Sequence, residues 1–405
     1  MIGAKMPIDP SDLTLPSADE LRDRLVGWCV INSGSGNLAG LERMRGELRA
    51  ALRELPGKLE EPDLGPGWPR ALTLRCRPDA PLQVLLNIHF DTVYGPAHSF
   101  QTCESIGSDT LRGPGVADAK GGILVLVTAL RAFEQLPGAK RMGWTILLGP
   151  DEETGSHASE PLYREAARRH HLGLVFEPAR ENGDLVRARK GIGLVVATCH
   201  GRAAHAAKGA ELGRNAILAL AEYLVLAARA AGPLAGVSLN VGRVSGGTAA
   251  NIVPDLATAE IDVRSATVAG GESVLEALRQ AALAVNTREG FSLELSGGFQ
   301  RAPLEATPER EALLSEYVAC GRALGLAFGA QAVGGGSDGN LLAAAGLPVL
   351  DGLGPVGGDL HSEREWIRVS SLRERAGVAA LFLARLNAGE IVLPDAVRLR
   401  PIARE

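Results

Sequence analysis

A chain of 405 residues is too long for one ordinary hydrophobic core, so two domains are expected. Hydrophobic residues make up 46% of it, which suits a globular protein and argues against intrinsic disorder. The formal net charge of −5 speaks against a nucleic-acid partner, which would favour a basic patch.

Five cysteines (Cys29, Cys76, Cys103, Cys199 and Cys320) are widely spaced, odd in number and without CxxC pairs. That pattern reads as reduced thiols. The first twenty residues carry no apolar core of leader length, and no run reaches the roughly 18 apolar residues that a membrane span needs. A cytoplasmic location is the expectation.

The first element in chain order is a helix, with capping-box spacing at Ser17 and Glu20 and apolar residues at Leu21, Leu25 and Val26. The segment SGSGNLAG, residues 33–40, then contains a G-x-G-x-x-A. A dinucleotide fingerprint must follow a strand, and this one follows a helix, so a nucleotide-dependent oxidoreductase is set aside. From about residue 81 buried strands alternate with helices. PLQVLLNIHF is a strand ending at His89, AKGGILVLVTALRAF a helix, GWTILLGP a strand ending before Asp151, and LGLVF a strand ending before Glu177. Near-continuous apolar strands of this kind imply a parallel sheet covered on both faces, and such sheets place ligands at the C-terminal ends of their strands.

Residues 191–302 follow a different rhythm, strand–helix–strand–strand–helix–strand, which is the order of a ferredoxin-like unit. The expected organisation is therefore α/β. A catalytic domain with a mainly parallel sheet is built from 1–190 and 303–405, and an inserted α+β domain spans 191–302. After the insert come a helix near 308–326, the run GGGSDG at 334–339, and a strand at LPVLDGL.

Five polar spots stand at these strand ends and loops. His89 and Asp91 are two apart in a strand, so they share a side, and Asp91 is placed to fix the second ring nitrogen of a metal-binding His89. Asp118 precedes an apolar helix; Asp151, Glu152 and Glu153 are three adjacent carboxylates; Glu177 follows a strand; His361 lies in a Gly-rich loop. Each has a plain structural alternative: a satisfied histidine, a helix cap, a solvated turn, a loop carboxylate, a surface histidine. Together they form a set of imidazoles and carboxylates suited to Zn²⁺, Co²⁺ or Mn²⁺, and five ligands around one bridging carboxylate suit two ions about 3.5–4 Å apart.

The stretches HFDTVYGP, GPGVADAKGG, DEETGS, FEP, GRAAHA, SGGTAANIVP, DVR, GGGSDG and LHSE, in this order, resemble the dinuclear zinc peptidases and deacylases. That family includes glutamate carboxypeptidase, acetylornithine deacetylase, succinyl-diaminopimelate desuccinylase and aminoacylase. The resemblance runs from about residue 81 to the C-terminus and is nearest the glutamate carboxypeptidase branch. It implies a zinc-type ion held by His89 and Glu177, a second held by Glu153 and His361, and Asp118 bridging them across a cis Asp118–Ala119 peptide. Glu152 would be the general base acting on a bridging water, and Asp91 would orient His89. The inserted domain would be a lid and dimerisation domain. Within it His205 would serve the partner's site, Asn251 the oxyanion region and Arg264 a substrate carboxylate. The loop PARENGDLVRARKG departs from the glutamate-specific enzymes and carries no matching substrate lysine; Arg301 is a second carboxylate anchor to consider. The implied activity is hydrolysis of N-acyl amino acids or small peptides by a homodimer. An amidohydrolase acting on allantoate or a carbamoyl-amino acid, and an inactive metal-binding module, are the alternatives.

Overall fold

The computed structural model describes residues 8–138, 140–207 and 210–403, so part of the stretch read for a leader, residues 1–7, lies outside it. The chain divides into two compact units: one takes the residues up to Arg187, Ala306–Ala332 and those from Ser337 on, the other Ala188–Glu305 with Val333–Gly336.

In the first unit the opening helix Ala18–Cys29 has both halves of its capping box, Ser17 and Glu20. The loop 33–37 joins it to a second helix, Leu38–Leu52, so the glycine-rich segment does follow a helix. The sheet has six strands in the order Lys58–Glu60, Leu72–Cys76, Met142–Gly149, Leu82–His89, Leu172–Val175, Val349–Leu350. The last four are parallel and the first two join antiparallel at one edge. Every residue of Met142–Gly149 is buried, as is all of Leu82–His89 but its first. Both faces of these strands are therefore covered, which accounts for their unbroken apolar sequence.

Two glycines set how closely the helix Lys120–Gln135 docks. A Cβ on Gly122 would lie 2.1 Å from the Phe176 carbonyl oxygen, and one on Gly121 would lie 2.2 Å from that of Val116. No side chain fits there, and this close approach brings the loops bearing Asp118 and Glu177 together. The strand expected at 347–353 is shorter, Val349–Leu350; Gly352 turns at φ +75°, and its N–H is taken by the Asp351 carboxylate.

The second unit is a four-stranded antiparallel sheet in the order Val237–Gly246, Leu256–Ser265, Gly191–His200, Ser292–Arg301. Numbered along the chain that order is 2-3-1-4, the ferredoxin-like arrangement. Burial alternates along Gly191–His200 and Leu256–Ser265. The helices Ala216–Ala231 and Val268–Asn286, capped by Asn215 and Thr267, share one core with the sheet. The last strand runs five residues beyond the expected FSLELS, to Arg301, through a register shift between Phe299 and Arg301. At the base of the unit Arg189 and Leu304 exchange both backbone hydrogen bonds, 3.0 Å each, so the chain enters and leaves through paired segments. No helix among the described residues is long and apolar enough to cross a membrane.

One buried histidine makes this fold sensitive to acid. His170 closes the helix Glu160–Arg169; its Nδ1–H donates to the Ala166 carbonyl at 2.7 Å and its Nε2 accepts from the Thr145 hydroxyl at 2.9 Å. Burial pushes its pKa from 6.5 down to about 4. A depressed histidine favours folding above its unfolded pKa, and that stability is lost as pH falls through 6.5 toward 4 because the unfolded chain takes up the proton first. His170→Gln should therefore reduce the fall in unfolding free energy between pH 7 and pH 5 by on the order of 2 kcal/mol, read from urea midpoints. Parallel pH dependences for the two proteins would refute it.

Candidate metal centre

His89 is the last residue of its strand and pairs in register with Gly149, the last of the next. The chain then turns, and Asp91, fully buried, sits beneath the imidazole. Its Oδ1 lies 3.2 Å from His89 Nδ1 and accepts from the Glu152 N–H at 3.1 Å. Its Oδ2 accepts from the Glu153 N–H at 3.2 Å and from the Ser35 hydroxyl at 2.7 Å. One carboxylate thus ties the His89 strand, the DEE turn and the glycine-rich loop after the first helix. That loop is a buttress, and Gly34 within it is required: a Cβ there would meet the Tyr94 carbonyl oxygen at 2.3 Å.

Asp118 does not cap the helix that follows. The cap position is Ala119, without a side-chain hydrogen bond, and the Asp118–Ala119 peptide is cis. Its two oxygens instead address two imidazoles: Oδ1 lies 2.9 Å from His89 Nε2, and Oδ2 lies 3.4 Å from His361 Nε2. Glu177 Oε1 stands 3.6 Å from His89 Nε2, and Glu153 Oε2 stands 3.2 Å from His361 Nε2. The ligand atoms of His89, Asp118 and Glu153 all lie within 4.8 Å of one another. His361 adopts φ +60°, left-handed for a non-glycine residue, which aims its ring back at the carboxylates.

Of the DEE run, Asp151 is used inside the fold. It is fully buried and accepts from the Ala158 and Ser159 N–H groups and the Ser159 hydroxyl. Glu152 and Glu153 remain on the short turn Glu152–Thr154.

The electrostatics suit a cation held among these residues. Burial, the nearby Asp118 and the adjacent Glu152 push the Glu153 carboxyl up to about 7, against the pull of the histidines. Asp118 is held well below the usual carboxylate range, because hydrogen bonds from His361 and His89 outweigh its burial. His361 is pushed up to about 11 by Asp118 and Glu153, and His89 is raised although burial opposes it. So many buried like charges demand positive charge among them, and a divalent ion would take the place of the two imidazole protons.

Sequence reading missed Glu365. It is fully buried and accepts from the backbone N–H groups of Gly115, Ala117 and Asp118 (3.1, 2.9 and 3.0 Å) and from the Tyr94 hydroxyl (2.9 Å). Burial and the charge of Asp118 push it up to about 7, although those N–H donors favour its anion. Nothing in HSERE separates it from its exposed neighbour Glu363; only the turn of the chain puts one inside.

The remaining expected site residues belong to the second unit. The two-residue strand Ala204–His205 pairs antiparallel with Ile252–Val253, and the Ala206 N–H donates to the Asn251 carbonyl at 3.0 Å, so His205 and Asn251 are neighbours and exposed. His205 Nδ1 accepts from the Ala207 N–H at 3.1 Å, which leaves Nε2 as the proton-bearing nitrogen. Arg264 is already gripped by a carboxylate: Asp262, two residues back on the same side of the strand, meets its Nε and Nη2 at 2.9 Å each. Arg301 is a buried arginine, 6% exposed, beside Gly336 of the GGGSDG run, which excludes a surface role.

Glu365→Ala would leave three backbone donors around Asp118 unpaired, each costing about 1–3 kcal/mol if it stays buried. We expect divalent-metal affinity to fall about 10–100-fold, measured by calorimetry on the apoprotein. Unchanged affinity in a folded variant would show that Glu365 does not hold the Asp118 loop.

The family model described as peptidase family M20/M25/M40 matches residues 85–385. Carboxypeptidase G2 of Pseudomonas sp. strain RS-16 is 29% identical over 312 residues, 76% of this chain and 74% of that one. Succinyl-diaminopimelate desuccinylase of Methylococcus capsulatus is 27% identical over 338 residues, 80% and 88% of the two. Among solved structures, aminopeptidase PepT of Bacillus cereus shares the fold with a TM-score of 0.77 at 21% identity, over 91% of this chain and 99% of that one. An M20 family metallo-carboxypeptidase of Sulfolobus solfataricus follows with a TM-score of 0.72 at 16% identity, over 91% and 100%. With the family model matched across most of its length, the chain belongs to peptidase family M20/M25/M40 and is a metal-dependent hydrolase of amide bonds.

Proposed function

We propose that this enzyme cleaves the amide bond of N-acyl amino acids or small peptides that end in a free carboxylate, using two divalent ions. The observation that carries the reading is Asp118, whose two oxygens face two different imidazoles, each with its own glutamate alongside. His89 and Glu177 would hold one ion, His361 and Glu153 the other, and Asp118 both. Zinc suits this mixture of imidazole and carboxylate, and Co²⁺ or Mn²⁺ fits the same donors. Bound there, the ions would supply Lewis-acid chemistry to the scissile carbonyl and to the attacking water.

The chain's own groups do the rest. Glu152 is fixed at its N–H by Asp91 and is only partly buried, which keeps its carboxylate available as the general base. It takes the proton from the attacking water and returns it to the leaving amine. The Nε2–H of His205 is the donor for the developing oxyanion, supported by Asn251. Arg264 and Arg301 select a substrate carboxylate; since Asp262 already occupies Arg264, that carboxylate must share or displace it. A lid over about 191–302 and a homodimer that brings His205 to the partner's site complete the reading. In support, the helix Ala216–Ala231 exposes Leu218 (66%) and Val225 (50%), and the strand Val237–Gly246 lies at an open sheet edge. The described cysteines are all free thiols, which favours a reducing, cytoplasmic setting.

Two experiments test the roles. Glu152→Gln should lower kcat by about 10²–10⁴ and keep its metal, while Glu153→Ala should lose metal; the reverse pattern in elemental analysis would overturn the assignment within DEE. His205→Ala should be nearly inactive yet metal-loaded, and mixing it with Glu152→Ala under subunit exchange should restore part of the activity. Exchange without recovery would rule out action in trans.

A further inference from the structure

One buried cation of the first unit lacks an anion to balance it. Arg375 stands in the second turn of the helix Ser370–Ala388 and is 2% exposed. Its Nη2 donates to the Gly183 carbonyl, and its guanidinium lies over the Phe328 ring, 4.2 Å from the centroid. Its Nε and Nη1 are buried and without a hydrogen-bond partner, and no ion pair joins it to a carboxylate among the described residues. Glu374 and Asp184 act on it only through space. The side chain lines a pocket of about 370 Å³. Three segments wall that pocket: the turn around Gly183, the stretch 325–328 after the helix Pro308–Ala323, and Arg368 with the start of the Arg375 helix. The first two are fastened to each other without Arg375. The Leu185 N–H donates to the Gly329 carbonyl at 2.9 Å, and the Gly329 N–H donates to the Asp184 carboxylate at 2.6 Å. Arg368, the other arginine of the pocket, gives its Nη2 to Glu374 at 2.6 Å and leaves its buried Nε unpaired. Two guanidiniums and one carboxylate thus line one cavity, with a single positive charge in excess.

We propose that this pocket binds a small organic carboxylate, with Arg375 as its anchor. A guanidinium presents its N–H groups as planar forks that match two carboxylate oxygens. Nη2 of Arg375 has two hydrogens and spends one on Gly183; the second forms a complete fork with either Nε or Nη1, both of which are unpaired. The Phe328 ring covers one face of the guanidinium, so an acceptor approaches along its edge, in the plane that a bidentate carboxylate takes. The charge balance selects the kind of anion. One negative charge neutralises the excess, whereas a phosphate, close to doubly charged at neutral pH, overshoots it. The volume suits a molecule with a few carbons beyond its carboxylate. Burial also holds the Arg375 pKa below the ordinary guanidinium value, and a bound anion beside it would oppose that shift.

The test reads the pocket itself and needs no hydrolase substrate. Sodium propionate replaces sodium chloride at constant ionic strength in a solution of the full-length, metal-loaded protein, and the backbone amides of Gly183 and Phe328 are followed by NMR. We expect both to shift saturably with one dissociation constant. Arg375→Met removes the charge and keeps an apolar chain over Phe328, and it should raise that constant by about tenfold or more. Should that core variant not fold, Arg368→Met serves: the pocket then has no net positive charge, and binding should weaken several-fold. Glu374→Gln, which takes away the competing carboxylate, should tighten it. Inorganic phosphate should bind the wild type more weakly than propionate does. The proposal is overturned if neither amide shifts, if the arginine variants bind propionate as tightly as the wild type, or if phosphate is preferred.

Discussion

The site depends on one buried carboxylate that does not face the ions. Asp91 accepts hydrogen bonds on both oxygens from four directions: an imidazole, two backbone N–H groups and a serine hydroxyl. An anion with no solvent is tolerable only when its lone pairs are used in this way. Because the partners come from three separate segments, the requirement that Asp91 be satisfied is also what aligns them. His89 gains a fixed tautomer and orientation, and the DEE turn is held through the backbone N–H groups of Glu152 and Glu153.

Glu365 plays the same part behind Asp118. Three consecutive-region N–H groups converge on it, so the loop from Gly115 to Asp118 is wrapped around a buried acid. The Asp118 loop is thus backed by one buried acid, and His89 with the Glu152–Glu153 turn by another. Carboxylates are stacked two layers deep here, which makes the neighbourhood as a whole an attractor for cations.

Much of this was legible in the chain before folding. The parallel sheet shows in the unbroken apolar runs around Leu85 and Ile146, and the inserted unit in the change of rhythm after residue 190. His89, Asp118, Glu153, Glu177 and His361 stand in motifs whose order is informative, and they do converge. Three kinds of information were hidden. Apart from His89, the partners of Asp91 come from segments 56 to 62 residues away, and no local pattern encodes Ser35 as one of them. Glu365 is distinguished from Glu363 only by which way a loop turns. The strand read as FSLELS ends before Arg301, whereas the register shift between Phe299 and Arg301 carries the strand onward to it, and Arg301 is buried. Arg264 shows the opposite failure: the residue was identified, but its pairing with Asp262 was visible in DVR only as two charges on one side of a strand.

The second unit enters and leaves the first through the paired backbone of Arg189 and Leu304. That arrangement bears on synthesis. His89, Asp118, Glu153 and Glu177 emerge from the ribosome before the insert, and His361 and Glu365 only after it. A nascent chain must therefore carry a cluster of crowded carboxylates, unbalanced by its second imidazole, for as long as it takes to make and fold an entire antiparallel unit. The insert, built around a core of its own, can fold for the most part during that pause, before Val333–Gly336 join the same unit. Val349–Leu350 then add the edge strand, and His361 and Glu365 reach the Asp118 loop. Assembly of the site is in this sense a late event, since His361 and Glu365 follow the insert in the chain.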